Sequence, residues 1–512
     1  MNPASSTLTY DVVVIGAGPA GSVAAAELAQ AGKSVLIVER HRFPRYRVGE
    51  SLTVSAGDLL RDWGLEDKLG ELDFPVKTGV KVIGRSARSE FFVPVARPTW
   101  QVRRAEFDQL LLDRATELGA ELRWGSVKRI DQVGGRVVGV GFRPYGHETD
   151  VLTEVKAKVV MDCSGHSAIL SRHGIAGPRS VEAFGRQIAM FTQYSHAIRD
   201  SGAMGDNTFI FYGSKYHWGW FIPLSSTHTS VGVVLPTSTV KEVGEVPEKV
   251  LQWGIENVNP DLYRRLRGLT PTEPVRVIRN YSYRVDPFVG DGWLCVGDSH
   301  RFADPIFSFG VAFSMTEARA AAMAVLEALA TGDSRVPFEA YARFSDRGQD
   351  AAVDLIRYFW KFPAFFSFQT RGSTRADMIR LLGGDCFTTD RIGVLEMMRK
   401  SLAEVSLNQI SQHRAQDIAN RVFHRYADFQ GVDASYIGVD DDGIELSFVL
   451  ADDDPGLFHQ IMEFEEGLYA DFGRDELAVV SVGPRLLAAM PHAQGHPMRG
   501  PGAMTIFDHR GA

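Results

Sequence analysis

Three glycines near the N-terminus have the spacing of a phosphate-binding turn. Gly16, Gly18 and Gly21 lie in "YDVVVIGAGPAGSVAAAELAQAGKSVLIVER", which begins at residue 10. Gly16 permits a tight turn, Gly18 lets the backbone approach a pyrophosphate, and Gly21 lets the following helix pack closely on a sheet. The chemistry that this spacing predicts is dinucleotide binding. Glu39, roughly 20 residues further on, is placed to accept hydrogen bonds from a ribose.

The flanking residues predict the elements that position these glycines. The β-branched run 10–15 predicts a buried strand, and the alanine-rich residues 19–31 predict a helix whose positive end faces the phosphates. Residues 34–38 predict a second strand that ends at Glu39. A glycine-rich turn without a ligand is the alternative, but the complete strand–turn–helix–strand pattern favours a dinucleotide.

A second pattern is a pair of tryptophans in "HWGWFIPL", residues 217–224. Side chains alternate between the two faces of a strand, so Trp218 and Trp220 share one face, and Pro223 stops the strand. Two such rings either fill a core, as most buried aromatic side chains do, or form the wall of a site.

The composition sets broad limits on the class of protein. Of 512 residues, 45% are hydrophobic and 23% are charged, which is typical of a globular chain with roughly two or three structural units. A net charge of −8 argues against nucleic acid as the main partner. Cys163, Cys295 and Cys386 have no paired spacing, so we expect a reducing, cytoplasmic compartment and no bound metal. No apolar run has the length of a membrane span, so we expect no stable membrane insertion.

Two later segments extend the dinucleotide pattern. "MDCSGHSAIL" (161–170) and "GWLCVGDSHRFADPIFSFGVAFSMTEA" (292–318) each place glycine and aspartate after a strand, and Arg104 begins a helical segment. Together these segments resemble the flavoprotein monooxygenase superfamily over residues 8–330. The resemblance implies an α/β (mixed α+β) fold with a GR2-type, Rossmann-like FAD-binding domain that uses residues 10–51, 101–172 and 292–318. It assigns to the cofactor Gly16, Gly18, Ala20, Gly21, Glu39, Arg40, Gly49, Glu50, Ser51, Arg104, Asp162, Gly165, Gly297, Asp298, Pro305 and Gly310.

The tryptophan pair resembles the WxWxIP motif of the flavin-dependent halogenases. Trp218, Trp220, Ile222 and Pro223 match that motif position for position. The resemblance implies that these residues separate the flavin from the substrate. A peroxide formed on FADH₂ and O₂ then reacts with chloride to give hypochlorous acid, instead of hydroxylating the ring.

A lysine completes the resemblance to the halogenases. In "FPVKTGVKV" (74–82), Lys77 stands in the K-x-G context of the lysine that relays hypochlorous acid in that family. Burial would favour such a role, because it lowers the pKa of an amine. A solvated surface lysine is the plain alternative, and Lys81 is the rival candidate.

Two further segments are assigned by the same resemblance. "RFPRYRVGESL" (42–52) would close over the flavin ring, although its Arg45 and Arg47 could equally be surface charges. In "DPIFSFGV" (304–311), the backbone around Ser308, Phe309 and Gly310 would bind the halide.

One departure from the family narrows the substrate. The tryptophan halogenases carry a glutamate where this chain has Phe307. That difference favours an electron-rich phenol or pyrrole, as in the subgroup whose substrates are attached to a peptidyl carrier protein. The resemblance to this subgroup implies chlorination of a tyrosyl unit on such a carrier in antibiotic or related secondary-metabolite biosynthesis, with FADH₂ supplied by a separate flavin reductase. Arg371, Arg375 and Arg380 are either a carrier-docking face or an ordinary solvated helix face.

The predicted organisation has two parts. Residues 1–335 form the FAD-binding domain, with an antiparallel substrate-side sheet from about 75–100 and 181–285. Residues 336–512 form a mostly helical C-terminal region with a flexible tail, in which 430–455 are expected to be loop–strand–loop. The alternatives to a halogenase are an FAD-dependent aromatic hydroxylase or reductase of the same fold, and a catalytically silent FAD-binding partner.

Overall fold

The computed structural model describes most of the chain. Described are residues 8–84, 90–146, 151–182, 184, 186–214, 216–244, 246–279, 282–362, 366–367, 369–370, 373–388, 392–404, 416–422, 432–440, 443–450, 457, 460–461, 463–465, 467–468, 477–482 and 504–508.

The described elements alternate between strands and helices, as a mixed α/β fold requires. The helices are α1 (Pro19–Gln30), α2 (Val54–Asp62), α3 (Glu66–Glu71), α4 (Arg104–Glu117), α5 (Ile169–Arg172), α6 (Thr237–Val243), α7 (Pro247–Val258), α8 (Pro260–Leu266), α9 (Phe309–Thr331), α10 (Arg335–Lys361), α11 (Arg375–Leu382) and α12 (Gly393–Glu404). The strands are β1 (Leu8–Ile15), β2 (Val35–Glu39), β3 (Val76–Ile83), β4 (Glu90–Trp100), β5 (Glu121–Val133), β6 (Arg136–Pro144), β7 (Thr153–Asp162), β8 (Arg179–Val181), β9 (Gln187–Ser195), β10 (Thr208–Ser214), β11 (His217–Pro223), β12 (His228–Pro236), β13 (Arg276–Arg279), β14 (Tyr283–Val285), β15 (Val289–Gly290), β16 (Trp293–Cys295), β17 (Arg301–Phe302), β18 (Val432–Asp440), β19 (Gly443–Leu450), β20 (Leu477–Val482) and β21 (Met504–Asp508).

The chain divides into two compact units. The first comprises residues 1–81, 94–353 and 380–389, and the second comprises 82–93, 354–379 and 390–512. The predicted boundary at 335/336 falls where α10 begins, whereas this division falls within α10, between residues 353 and 354. The first half of α10 bonds to the first unit: the Tyr341 hydroxyl donates to Cys295 O at 2.9 Å, and the Ser345 hydroxyl donates to Glu317 Oε1 at 2.9 Å.

A mixed sheet forms the centre of the first unit, with parallel pairings among β1, β2, β5, β7 and β16 and antiparallel pairings that involve β6 and β15. Its order is β1–β2–β5–β6–β7–β16–β15, with β1 also paired to β7, and β1 runs parallel to both β2 and β7. Residues 12–15 of β1, three valines and an isoleucine, are buried on both faces, as expected for a strand that helices cover on both sides. The predicted segments 10–15, 19–31 and 34–38 correspond to β1, α1 and β2.

The first unit also contributes to a second sheet, which has the order β13–β9–β12–β11–β10–β3–β4. The pairings of β10 with β11, β11 with β12, and β9 with both β12 and β13 are antiparallel. This sheet therefore has the segments and the strand direction predicted for the substrate side.

One helix among the described residues, α9, is long and apolar enough to cross a membrane by length and composition alone. Most of it is buried, and its alanines belong to the same core cluster as those of α1. A buried core helix meets the same criteria as a membrane span, so the helix carries no conclusion about a membrane.

The second unit contains strands as well as helices. Beyond α12 the described elements include a four-stranded sheet of order β20–β19–β18–β21. Residues 430–455 therefore include an antiparallel hairpin of β18 and β19 rather than one strand between loops. Leu446 and Phe448 alternate on β19 and are fully buried, a period-two pattern that the surrounding acidic residues obscured in the sequence.

The segment after residue 357 is rich in aromatic side chains and contains Arg371, Arg375 and Arg380, the candidates for a carrier-docking face. Five aromatic side chains are buried as core: Tyr358, Phe359, Trp360, Phe362 and Phe366. Phe365, Phe368 and Arg371 lie outside the described residues. Arg375 begins α11, and Arg380 forms an ion pair with Asp385 at 2.8 Å. The carrier-docking face stays a prediction.

Candidate active site

A cavity of about 900 Å³ opens in the first unit, where the ends of the parallel strands face the second sheet. Its walls come from all three segments predicted to bind FAD and from β9, β10, β11 and β13 of the second sheet. The volume is in the usual range for a pocket that holds a cofactor. Predicted site residues on its wall are Gly16, Gly18, Ala20, Glu39, Arg40, Gly49, Glu50, Ser51, Arg104, Gly165, Trp218, Trp220, Ile222, Asp298, Pro305, Ser308 and Gly310.

The glycine turn forms one end of the cavity. Gly16 has a φ of +103°, and a Cβ there would lie 2.6 Å from Cys163 O. Gly21 lies behind the wall, where a Cβ would be 1.9 Å from Gly16 O, so both positions require glycine. Gly18 is the residue before α1, and no side chain caps that helix. The free N–H groups and positive end of α1 therefore face the cavity and suit a pyrophosphate.

Glu39 holds its carboxylate at the same end of the cavity. Its Oε2 accepts a hydrogen bond from Ala17 N at 2.8 Å, and its Oε1 accepts one from His41 N at 2.9 Å. These two bonds orient the carboxylate at the end of β2, where an acid recognises ribose hydroxyls.

A buried charge cluster borders the turn. The Arg104 guanidinium donates to Asp108 Oδ1 and Oδ2 at 2.8 and 3.1 Å and to Val48 O at 2.6 Å. Arg45 pairs with the same carboxylate at 2.8 Å and is largely buried, so it is not a surface charge. Arg47 also borders the cavity, but it is exposed to solvent, as the surface-charge alternative predicted.

The basic side chains of this wall complement an anionic cofactor. Arg45, Arg47, Arg104, Lys128 and Arg172 all line the cavity. With the glycine turn, the bare end of α1 and the oriented Glu39, they form a donor set that fits the phosphates and ribose of FAD. When bound, FAD would supply the redox chemistry of the site, and these residues would hold it.

Besides Gly21, two further predicted cofactor residues lie behind the wall. Asp162 accepts from Ser164 N at 3.0 Å and from Leu170 N at 2.7 Å, and burial raises the pKa of its carboxyl. Gly297 donates its N–H to Glu317 Oε2 at 2.7 Å. Both residues therefore shape the turns that present Gly165 and Asp298 to the cavity.

The tryptophans lie on the second-sheet wall. Trp218 and Trp220 are on β11 with ring centroids 6.0 Å apart, and both rings border the cavity with Ile222. Pro223 ends the strand and does not line the cavity. Trp218 Nε1 is buried and has no hydrogen-bond partner among the described residues. A buried donor without a partner is costly, so a ligand acceptor in the cavity would satisfy it.

Trp220 is linked to a buried acid. Its Nε1–H donates to Ser230 Oγ at 3.2 Å, and the Ser230 hydroxyl donates to Glu50 Oε2 at 3.1 Å. Burial raises the pKa of Glu50 to about 7, although the Ser230 hydrogen bond and the charge of Arg104 oppose this. The cavity therefore contains a carboxyl group that can exchange a proton near neutral pH.

Lys77 is buried behind Ser51 and is 2% exposed. Its Nζ donates to Ser51 Oγ at 2.9 Å and to Leu52 O at 3.0 Å. No carboxylate forms an ion pair with this amine in the part of the chain that the structure describes. Burial lowers its pKa to about 7. The rival Lys81 instead forms an ion pair with Asp200 at 3.1 Å. Of these two candidates, Lys77 is therefore the buried amine that contacts a cavity residue and has no carboxylate partner among the described residues.

The predicted halide segment is a tight turn before α9. Ser308 has a φ of +59° and lines the cavity together with Gly310. Phe309 is not among the residues that line the cavity, and its ring stacks on that of Phe313 with centroids 5.0 Å apart. The ring centroids of Phe307 and Phe309 lie 5.8 Å apart. The halide site at this turn stays a prediction.

Several residues that border the site were not anticipated from the sequence. They are His41, Asp108, Lys128, His166, Arg172, Phe191, Thr208 and Ser314. Asp108 follows Arg104 by four residues on a predicted helix, so helical spacing could have identified that pair. His41, Lys128, His166, Arg172 and Ser314 lie within the segments predicted to bind FAD, although none of them was singled out. Phe191 and Thr208 come from the second sheet, where no local signal marked them. No group of three histidine, cysteine or acidic side chains suitable for a metal occurs among the described residues.

A buried pair supports the turn at Gly297. His300 Nε2 lies 3.0 Å from Glu317 Oε2, and the Gln349 amide donates to Glu317 Oε1 at 2.8 Å. Burial alone would raise the pKa of Glu317, but the charge of His300 and the hydrogen bonds it accepts outweigh burial and lower that pKa. Because the carboxylate also accepts from Gly297, this pair connects α9 to the predicted FAD turn.

Replacing Glu317 with alanine is expected to lower the free energy of unfolding by about 3–5 kcal/mol, because His300 and the Gly297 N–H lose a buried partner. The folded pKa lies below the ordinary value of 4.5, so the wild-type advantage is complete above about pH 4.5. The part of this advantage that depends on the negative charge of Glu317 is lost as the pH falls through the folded pKa. Urea denaturation at several pH values measures this difference. The exposed Glu327 on the same helix, changed to alanine, is the control; equal losses in the two variants would refute the role of Glu317.

The fold and the cavity define an FAD-binding flavoprotein, and comparison with known proteins agrees. The sequence model of the family described as FAD binding domain matches residues 9–351. The 1H-pyrrole-2-carbonyl-[peptidyl-carrier protein] brominase of Pseudoalteromonas luteoviolacea is 43% identical over 78% of this chain and 98% of its own length. The corresponding chlorinase of Pseudomonas fluorescens is 30% identical over 77% of this chain and 94% of its own length. The chain belongs to the flavin-dependent halogenase family.

Solved structures give the same result. The flavin-dependent brominase Bmp2 has a TM-score of 0.75 and 42% identity over 78% of this chain and all of its own length. The myxobacterial chondrochloren halogenase CndH has a TM-score of 0.63 and 27% identity over 75% of this chain and 92% of its own length. The predicted family, enzyme class and α/β fold are therefore confirmed.

Proposed function

We propose that this enzyme halogenates an electron-rich aromatic ring attached to a peptidyl carrier protein, using FADH₂, O₂ and a halide. The observation that carries the halogen-transfer step is Lys77, a buried amine bonded to Ser51 of the cavity wall, with no carboxylate partner among the described residues. A neutral amine can take electrophilic halogen from a hypohalous acid with release of water, and transfer of that halogen to a ring, which loses a proton, restores the amine. A pKa of about 7 makes much of the amine neutral at physiological pH.

The relatives support a pyrrole as the ring. Two of them, a brominase and a chlorinase, are named for pyrrole-2-carbonyl groups on a peptidyl carrier protein. A tyrosyl ring, predicted from the sequence, has the same electron-rich character. Phe307, in place of an acid, fits both, because such rings need less help to lose a proton. The names of the relatives differ in the halide, so both chloride and bromide belong in the test.

The remaining roles complete the proposal. FAD is held by the glycine turn, Glu39 and the basic wall, and a separate reductase delivers it in reduced form. Trp218 and Trp220 keep the flavin apart from the ring, so that the ring is halogenated instead of hydroxylated. The turn at Ser308 and Gly310 binds the halide through backbone N–H groups.

One reaction tests the proposal. The enzyme, FAD, a flavin reductase, NADH and O₂ are combined with equal chloride and bromide. The substrates are pyrrole-2-carboxyl and tyrosyl groups, each both free and loaded on a carrier protein. We expect halogenated pyrrole on the carrier, identified by mass from the isotope pattern of the halogen. Halogenated tyrosine in its place would show that the substrate ring is a tyrosyl phenol and not a pyrrole. Halogenation of the free acids alone would show that the substrate is not attached to a carrier protein. Oxygen added without halogen would establish the hydroxylase alternative instead.

A further inference from the structure

We propose that Asn207 and Thr208, the two consecutive residues where β10 begins, position the Lys77 amine for halogen transfer. The two residues hold Lys77 from opposite ends: Asn207 binds the backbone that follows the lysine, and Thr208 binds the hydroxyl that accepts from its amine. We call this pair the lysine clamp. The inference rests on the proposed role of Lys77 and adds the residues that give that role its geometry.

Asn207 holds the backbone end of the lysine. Its Oδ1 accepts hydrogen bonds from Thr78 N at 2.8 Å and from Gly79 N at 2.7 Å. Its Nδ2 donates to Ala203 O at 3.1 Å, which anchors the side chain in the turn before β10. Asn207 is 0% exposed. One fixed amide oxygen therefore binds the two residues directly after Lys77, which are the x and G of its K-x-G context.

Thr208 holds the amine end. Its Oγ1 lies 2.7 Å from Ser51 Oγ and accepts from Gln101 Nε2 at 2.9 Å. Ser51 Oγ in turn accepts the hydrogen bond from Lys77 Nζ. Because Thr208 and Ser51 both line the cavity, this hydroxyl pair lies between the amine and the site.

The clamp matters because electrostatic attraction does not hold this amine. A lysine paired with a carboxylate, such as Lys81 with Asp200, is held by opposite charge. Lys77 has only a hydroxyl and a carbonyl as partners among the described residues, so the position of its amine depends on how firmly Ser51 and the Thr78–Gly79 backbone are fixed. A displacement of about 1 Å in a reacting group can cost 10²-fold in rate.

The matched variants are Asn207→Ala and Asn259→Ala. Asn259 is also a buried asparagine, 1% exposed, whose Oδ1 accepts from Asp261 N at 2.9 Å where α8 begins. Both changes should lower the thermal midpoint. The halogenation ratio is the amount of halogenated product formed per molecule of reduced flavin that is oxidised. We expect Asn207→Ala alone to lower this ratio by about 10- to 100-fold, without weakening FAD binding. Asn207→Asp, which keeps the acceptor for both N–H groups, should recover much of this ratio.

The two halves of the clamp are separated by Thr208→Val and Thr208→Ser. The serine keeps the hydroxyl that bonds Ser51, and the valine removes it at similar volume. We expect the ratio to fall in the valine variant and to be retained in the serine variant. If Asn207→Ala does not fold, this pair decides the question. Equal ratios in the valine, serine and wild-type proteins would overturn the proposal.

A second readout needs no turnover. Competitive acylation with a small amine reagent, followed by peptide mass spectrometry across a pH series, reports the apparent pKa of Lys77. We expect about 7 in the wild type and a more alkaline value in Asn207→Ala, because a loosened amine reaches water. An unchanged pKa and a ratio equal to that of Asn259→Ala would refute the clamp. Halogenation that survives loss of the Lys77 amine would instead refute the proposed role of Lys77.

Discussion

Replacing Lys77 with methionine is expected to lower the yield of halogenated product by at least about 100-fold while reduced flavin continues to be oxidised. Methionine keeps most of the volume of the side chain and removes the amine that would carry the halogen. The flavin-binding turn, Glu39 and the basic wall are untouched, so O₂ consumption and peroxide formation should persist. The measurement is halogenated product by mass spectrometry and hydrogen peroxide by a coupled assay, both per reduced flavin supplied.

The same variant should not lose stability at neutral or acid pH. The folded pKa of Lys77 is about 7 and the ordinary value is 10.5, so the unfolded chain binds this proton more tightly. The cost of burying the ammonium is complete below about pH 7, decreases as the pH rises toward 10.5 and is absent above it. Wild-type protein should therefore gain stability relative to Lys77→Met over that interval. Thermal midpoints of the two proteins at pH 6 to 10.5 measure the difference.

Lys81→Met is the matched control. It removes a lysine from the same strand, but one that pairs with Asp200. We expect this variant to halogenate like the wild type and to lose a little stability from the broken ion pair. If Lys81→Met abolished halogenation and Lys77→Met did not, the two lysines would have to exchange their assigned roles.

Replacing Gly21 with alanine is expected to eliminate tight FAD binding. The added Cβ would lie 1.9 Å from Gly16 O and 3.2 Å from Val14 Cγ1, and the first of these is backbone that cannot rotate away. Helix α1 must then separate from β1, which displaces the turn and the free N–H groups that face the cavity. We expect the Kd for FAD to rise at least about tenfold and the free energy of unfolding to fall by about 1–3 kcal/mol. Titration of the cofactor-free protein with FAD measures the first effect.

Gly70→Ala separates this clash from a general intolerance of alanine. Gly70 lies in α3, and a Cβ there has no atom within 4 Å. Because alanine favours helices, we expect the free energy of unfolding of this control to rise by about 0.4–1 kcal/mol and its FAD binding to stay normal. Normal FAD affinity in Gly21→Ala would show that the close packing of α1 on the turn is not required.

The parts of the site that lie close together in the chain could be predicted from sequence. The glycines, α1 and Glu39 form a local strand–turn–helix–strand unit, whose spacing reports its geometry directly. Trp218 and Trp220 share a wall because residues two positions apart on a strand point to the same face. The identity of Lys77 was predicted through its resemblance to a family motif, and burial now distinguishes it from Lys81.

Contacts between distant segments could not be predicted in this way. Thr208 lies 157 residues after Ser51, and Asn207 lies 129 residues after Thr78, so no local pattern connects them. The pairing of β3 with β10 brings them together. The pair of His300 and Glu317 depends likewise on the packing of α9. The hairpin of β18 and β19 was missed for a different reason: its acidic residues hid the alternation of its buried ones.

Burial of the three thiols has a consequence for how long the enzyme can work. Cysteine is among the side chains most readily oxidised, and a halogenase handles strong oxidants at each turnover. Cys163, Cys295 and Cys386 are all buried, and burial raises the pKa of each thiol above its ordinary value. Even Cys163, which borders the cavity, is only 5% exposed. Protonated, shielded thiols react slowly, so the protein is built to resist damage from its own chemistry.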